Sequence, residues 1–146
     1  MLLIDDSNIL SKKLSKFKKL GRKINFIPTM GNLHEGHLKL VREGKKKNSV
    51  TLVSIFVNPL QFNDLSDFEK YPRTLEQDKN LLIKEEIDLF FTPGANFLSN
   101  HKVSLKLGDL SKKLCGKFRE GHFEGVSSVI IRFLNLINPD FIFLGE

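Results

Sequence analysis

The chain has 146 residues, 40% of them hydrophobic and 27% charged, with a formal net charge of +6. This suits one folded domain over residues 1–146 and excludes a chain dominated by disorder. A single cysteine, Cys115, excludes an intrachain disulfide framework. No apolar run approaches the ~18 residues of a membrane span, and Asp5 and Asp6 stand where a signal peptide carries positive charge. The expected location is the cytoplasm, with no membrane partner.

The first predicted element is an amphipathic helix. Ile9, Leu10, Leu14, Phe17 and Leu20 recur at helical spacing, and Lys12, Lys13, Lys16, Lys18, Lys19, Arg22 and Lys23 fall between and after them. The basic cluster therefore reads as a solvated helix face rather than a nucleic-acid patch. Ile24–Pro28 is a short apolar strand. His34–Lys47 is a helix with Leu38, Leu40 and Val41. Val50–Val57 is β-branched and almost wholly apolar, as a strand covered on both faces should be. A loop is expected from Asn58 to Tyr71. Thr74 and Gln77 have capping-box spacing and open a helix through Leu75, Leu81, Leu82 and Glu86. Asp88–Thr92 is a further strand, stopped by Pro93-Gly94. His101–Leu107 alternates and reads as a strand outside the main pattern. Val126–Ile137 is a helix with Val129, Ile130, Phe133 and Ile137 inward, and Phe141–Leu144 is the last strand. Most of the 13 phenylalanines lie in these apolar runs and read as core rather than base-stacking platforms. The alternation implies an α/β fold, Rossmann-like and doubly wound, with a mostly parallel sheet and helices on both faces. Ligands then belong at the carboxyl ends of the strands.

The first strand end carries Pro28-Thr29-Met30-Gly31-Asn32-Leu33-His34-Glu35-Gly36-His37. His34 and His37 are three apart, on one face of a helix and within its first turn, where orphan N–H groups and the dipole favour anions. Imidazoles there can donate to phosphate oxygens and stabilise charge developing at phosphorus. The metalloprotease pattern needs histidines four apart, so it fails by one residue. A zinc site lacks an obvious third ligand.

The segments Pro28–Gly31 with His34-Glu35-Gly36-His37, Ser54–Phe62, Tyr71–Thr74, Gly121–Val126 and Phe143–Glu146 resemble, in order, those of the pantoate–β-alanine ligase family, in the H-x-G-H nucleotidyltransferase superfamily. The resemblance implies condensation of pantoate with β-alanine at the expense of ATP, through pantoyl adenylate, releasing AMP and pyrophosphate. It implies ATP and Mg²⁺ as substrate and metal, the metal's ligands remaining open. It assigns ATP to Met30, Gly31, Asn32, Leu33, His34, Glu35, Gly36, His37, Gly145 and Glu146, with His34 and His37 catalytic and His37 the proton donor. Pantoate, and in turn β-alanine, falls to Gln61, Asn58 and His122. By residue chemistry alone, Gln61 could equally be a solvated loop residue, Asn58 a turn cap and His122 a structural group. Arg73 either meets an anion or pairs with Glu76. A homodimer without nucleic acid is the implied assembly.

Two departures stand out. Phe97–His101 lacks the family's tyrosine-proline pair, and Cys115 replaces an acidic residue. Further family segments expected after Gly145-Glu146 are not in this sequence, so it corresponds to roughly the family's first half, and little ligase activity is expected from it alone. Two other readings compete. One is another nucleotidyltransferase that releases pyrophosphate without AMP. The other is a basic nucleotide- or RNA-binding module, whose affinity would fall steeply with salt.

Overall fold

The computed structural model describes residues 1–46, 49–99, 105, 107–109, 119 and 121–145. Five strands, β1 (Leu2–Ile4), β2 (Ile24–Thr29), β3 (Val50–Ile55), β4 (Leu89–Phe91) and β5 (Phe141–Ile142), form one sheet in the order β1-β4-β3-β2-β5. Every pairing is parallel. Among the described residues, five helices accompany them: α1 (Ser7–Lys19), α2 (Glu35–Lys45), α3 (Leu65–Lys70), α4 (Leu75–Lys84) and α5 (His122–Ile137). Short 3-10 turns span Pro59–Gln61 and Ala95–Leu98.

Strand residues alternate between two cores, as the period of two demands. Ile24, Phe26, Val50, Leu52, Leu89 and Phe91 face Leu10 and Leu14 of α1 and Val129, Phe133 and Ile137 of α5. Ile27, Val53 and Phe90 face the other way, against Val41 of α2 and Leu82 of α4. The expected parallel sheet covered on both faces is thus present. Phe26, Phe56, Phe90, Phe91, Phe97 and Phe133 are all buried, as core residues should be.

The structure corrects several local expectations. β1 had no sequence signal, being three residues long, yet it pairs with β4 through Leu2, Leu3 and Ile4. Asp6, just beyond it, caps α1: its Oδ1 accepts from the N–H groups of Asn8 at 2.8 Å and Ile9 at 2.9 Å. Leu10 and Leu14 are buried, but Ile9 is 56% and Leu20 76% exposed, so the apolar stripe of α1 is narrower than expected. Lys18 leaves the solvated face and donates to the carbonyls of Ile137 at 3.1 Å and Asn138 at 2.5 Å, closing the end of α5.

The expected loop from Asn58 to Tyr71 contains the 3-10 turn and α3. The Thr74 capping box does not form, because the Thr74 hydroxyl instead donates to Asp78 Oδ2 at 3.1 Å. Helix α5 starts one turn before Val126. The strand expected over 101–107 lies largely outside the described residues, as do Cys115 and Glu146; Leu105 and Leu107 are not in a strand.

Pro28 sits inside β2, where a missing N–H would break a ladder. Phe26 accepts from Phe143 on the β5 side, and Thr29 accepts from Phe56 on the β3 side. Pro28 has the parity of Phe26, and β5 pairs only with Asn25 and Phe26. Its missing donor therefore falls where β5 has already ended.

Candidate active site

The strand ends converge on one edge of the sheet. At the end of β2, Thr29 Oγ1 donates to the Ser54 carbonyl at 2.8 Å and accepts from the Gly31 N–H at 3.2 Å, which starts a tight turn. Gly31 has φ +84° and Asn32 φ +50°. A glycine is required at the first, because a Cβ there would lie 3.1 Å from both Asp78 Oδ2 and Ile55 Cγ2. The turn delivers His34 as the N-cap of α2.

The two histidines cap the helix reciprocally. The Gly36 N–H donates to His34 Nδ1 at 3.1 Å, and the His34 N–H reaches His37 Nδ1 at 3.4 Å. The ring centroids are 4.1 Å apart. A nitrogen that accepts a hydrogen bond carries no proton, so each neutral ring holds its proton on Nε2. Each ring thereby keeps an Nε2–H donor at a helix N-terminus, the arrangement suited to an anion. Burial, followed by the neighbouring His34, lowers the His37 pKa, while Asp78 acts in the opposite sense. His37 is held neutral, and an arriving anion would reverse that balance.

At the end of β3, Asn58 caps the 3-10 turn and is 1% exposed. Its Oδ1 accepts from the Leu60 N–H at 3.1 Å, and its Nδ2 donates to Gln61 Oε1 at 3.1 Å and to the Gly125 carbonyl at 2.9 Å. Asn58 is therefore a turn cap that also orients Gln61. Gln61 is buried, at 7% exposure, not a solvated loop residue. Its Nε2 lies 2.8 Å from Met30 Sδ, which joins the β2 and β3 ends. His122 Nδ1 sits 2.7 Å from the Gln61 carbonyl and serves as the donor, so it grips the turn's main chain. Gly125 lets α5 approach: a Cβ there would overlap the Leu60 carbonyl and lie 2.7 Å from the Gln61 nitrogen.

Arg73 does not pair with Glu76, whose neighbour is Lys79 at 3.7 Å. Its guanidinium donates to the carbonyls of Phe68 at 3.0 Å, Glu69 at 3.0 Å and Tyr71 at 3.1 Å, closing α3. It also stands 5.0 Å from the Phe68 ring centroid. Gly145 follows β5 and approaches Leu40 of α2, its ideal Cβ lying 4.0 Å from Leu40 Cδ1. Among the described residues, no group of three or more His, Cys, Asp or Glu could hold a metal ion. No helix among them is long and apolar enough to cross a membrane.

A family model described as "Pantoate-beta-alanine ligase" matches residues 3–146. The chain belongs to the pantoate–β-alanine ligase family. It is 44% identical over 148 residues to a pantothenate synthetase of Sulfurihydrogenibium sp., covering 100% of this chain and 53% of that relative. A pantothenate synthetase of Buchnera aphidicola subsp. Schizaphis graminum is also 44% identical, over 151 residues, with 53% of it covered. The ligase of Francisella tularensis, solved with "Beta-gamma ATP and Beta-alanine", superposes with TM-score 0.92 at 34% identity, over 97% of this chain and 55% of that one. A pantothenate synthetase of Thermus thermophilus gives 0.91 at 36% identity, over 100% and 52%. The chain spans about half the length of the curated relatives it matches.

Within the ligase-family segments, the structure separates residues by what they contact. His34 and His37 pair after the end of β2, and Met30 contacts Gln61 across the β2 and β3 ends, whereas Asn58, His122 and Gly125 engage the Pro59–Gln61 turn. Sequence reasoning missed Asp78, which is 1% exposed. Its Oδ2 accepts from the Asn32 N–H at 3.0 Å and its Oδ1 from the Leu33 N–H at 2.7 Å. The available signal was an acid four residues before Leu82, on the inward stripe of α4.

Proposed function

We propose that this chain supplies the nucleotide- and pantoate-binding part of an ATP-dependent ligase that joins pantoate to β-alanine. The observation that carries the reading is the pair of Nε2–H donors at the start of α2, on a turn whose Met30 contacts the buried Gln61 amide. In the first step, a pantoate carboxylate oxygen attacks the α-phosphorus, and the bond to the bridging oxygen breaks, releasing pyrophosphate. In the second, the β-alanine amine attacks the acyl carbon and loses a proton, and AMP leaves. Both steps move negative charge along phosphate oxygens, where fixed donors help most.

His34 and His37 are the assigned donors, and His37, held neutral by burial, gains proton affinity as the nucleotide's charge arrives. Met30 through His37, with Gly145 and Glu146, form the ATP segment. Gln61 holds the pantoate, since its amide both donates and accepts. Asn58 and His122 act through Gln61, and Arg73 through α3. Mg²⁺ would be carried on the triphosphate with its waters. A homodimer, a cytoplasmic location and one nucleotide-binding domain over residues 1–146 complete the proposal on the strength of the motifs.

The test has two parts. Equilibrium dialysis measures ATP bound by the wild type and by His37→Ala. AMP formation is followed with pantoate and β-alanine omitted in turn. Retention of ATP that His37→Ala weakens supports the reading, and so does AMP that needs both substrates. A wild type that retains no ATP, or AMP formation indifferent to pantoate, refutes it.

A further inference from the structure

We propose that Asp78 is a positioning residue of the nucleotide site, its buried carboxylate holding the turn at Gly31–Leu33 that presents His34 and His37. The inference rests on the proposed function for what the site binds, but its geometry stands independently.

The turn needs an anchor. Gly31 and Asn32 both have positive φ, a conformation that side-chain-bearing residues adopt at a cost. In it, the N–H groups of Asn32 and Leu33 point inward, where an unpartnered donor is costly. Asp78 takes both, one on each carboxylate oxygen, at 3.0 and 2.7 Å. Bonds to an ionised acceptor are the strong kind. Thr74 Oγ1 supplies a third donor to Oδ2, and the Asp78 N–H is itself fixed to the Thr74 carbonyl at 2.9 Å. The carboxylate is thus held in the first turn of α4, and the turn after β2 is hung from it.

Two consequences follow for the chemistry. The amides of Asn32 and Leu33 are spent inside the protein, so anion binding falls to the start of α2 and the imidazoles rather than to this turn. The carboxylate also acts on His37. The groups found to act on that imidazole are His34 from its own helix and Asp78 from α4, and Asp78 alone favours the protonated form. Removing the charge while keeping the shape should therefore move His37 further down.

The experiment uses NMR on the wild type, Asp78→Asn and Thr74→Val. In the wild type, the Leu33 amide is expected to exchange slowly with solvent. In Asp78→Asn only one acceptor oxygen remains for the two amides, so Asn32 or Leu33 loses its partner and its protection, the His37 imidazole titrates at lower pH, and the Kd for ATP rises about tenfold or more. Thr74→Val, which leaves both amides their acceptor, keeps the Leu33 protection. Free exchange of Leu33 in the wild type overturns the proposal, and it decides alone if Asp78→Asn fails to fold. A folded Asp78→Asn with an unchanged His37 titration and ATP affinity overturns it equally. If the wild type fails to bind ATP, the functional reading falls, while amide exchange and the His37 titration still judge the positioning role.

Discussion

Replacing Gly125 by alanine adds one methyl group where the start of α5 meets the Pro59–Gln61 turn. The new Cβ would overlap the Leu60 carbonyl and stand 2.7 Å from the Gln61 nitrogen, against 3.4 Å for an ordinary contact. The Gln61 nitrogen would have to give by about 0.7 Å, and the carbonyl by more. Backbone atoms give less readily than the tip of a flexible side chain. Overpacking of this kind costs about 3 kcal/mol, the upper end of its usual range. The bond from buried Asn58 Nδ2 to the Gly125 carbonyl is strained at the same time, adding about 1 kcal/mol. Alanine returns about 1 kcal/mol through helix propensity. The net loss is about 3 kcal/mol, or a fall in Tm of about 6–12 °C for a domain of this size.

Calorimetry on the wild type and Gly125→Ala measures it. Gly94→Ala is the control, because nothing lies within 4 Å of a Cβ there and its φ is −67°; it should be neutral or stabilise by up to ~1 kcal/mol. In the assay of the proposed reaction, a displacement of Gln61 approaching 1 Å should cost up to about a hundredfold. A Tm for Gly125→Ala within 2 °C of the wild type (an equivalent loss of about 1 kcal/mol or less) would refute the packing argument.

Further expectations concern the helix ends and the histidines. Asp6→Ala removes the cap of α1 and should cost about 1 kcal/mol, read as a Tm shift of about 2–4 °C; no shift would mean that the two bonds to Asp6 Oδ1 contribute nothing. Arg73→Ala withdraws three donors from the end of α3, so amide exchange in residues 65–71 should accelerate while β2 and β3 stay protected. His37 is depressed below the usual imidazole value, so the folded state resists its protonation. Its stability is fully present above the unfolded pKa of about 6.5 and is lost as pH falls through the lower folded value. His37→Gln should flatten that acid-side slope of Tm below about pH 6.5, and a slope identical to wild type would contradict it.

What the sequence by itself determined is the kind of fold and the strand end where the proposed site lies. Val50–Ile55 is mostly apolar because both faces are covered, and that pattern is local enough to read along the chain. The histidines three apart, with Gly31 before them and Gly36 between them, likewise mark a candidate anion site at a helix start, since strand-end turns and helix caps are built from residues close in sequence. Tertiary structure decided everything that depends on partners far apart. Leu2–Ile4 is a strand only because Leu89–Phe91 lies alongside it. Asn58, Gln61 and His122 were each ambiguous in isolation, and α5 resolved them by docking on the turn, which buries Gln61 and engages Asn58 and His122 with it. Asp78 drew no reading from the sequence, although it lies on the inward stripe of α4. It became the acceptor for a turn more than forty residues away in sequence because inward amides at positive φ require one, a demand that no local pattern records.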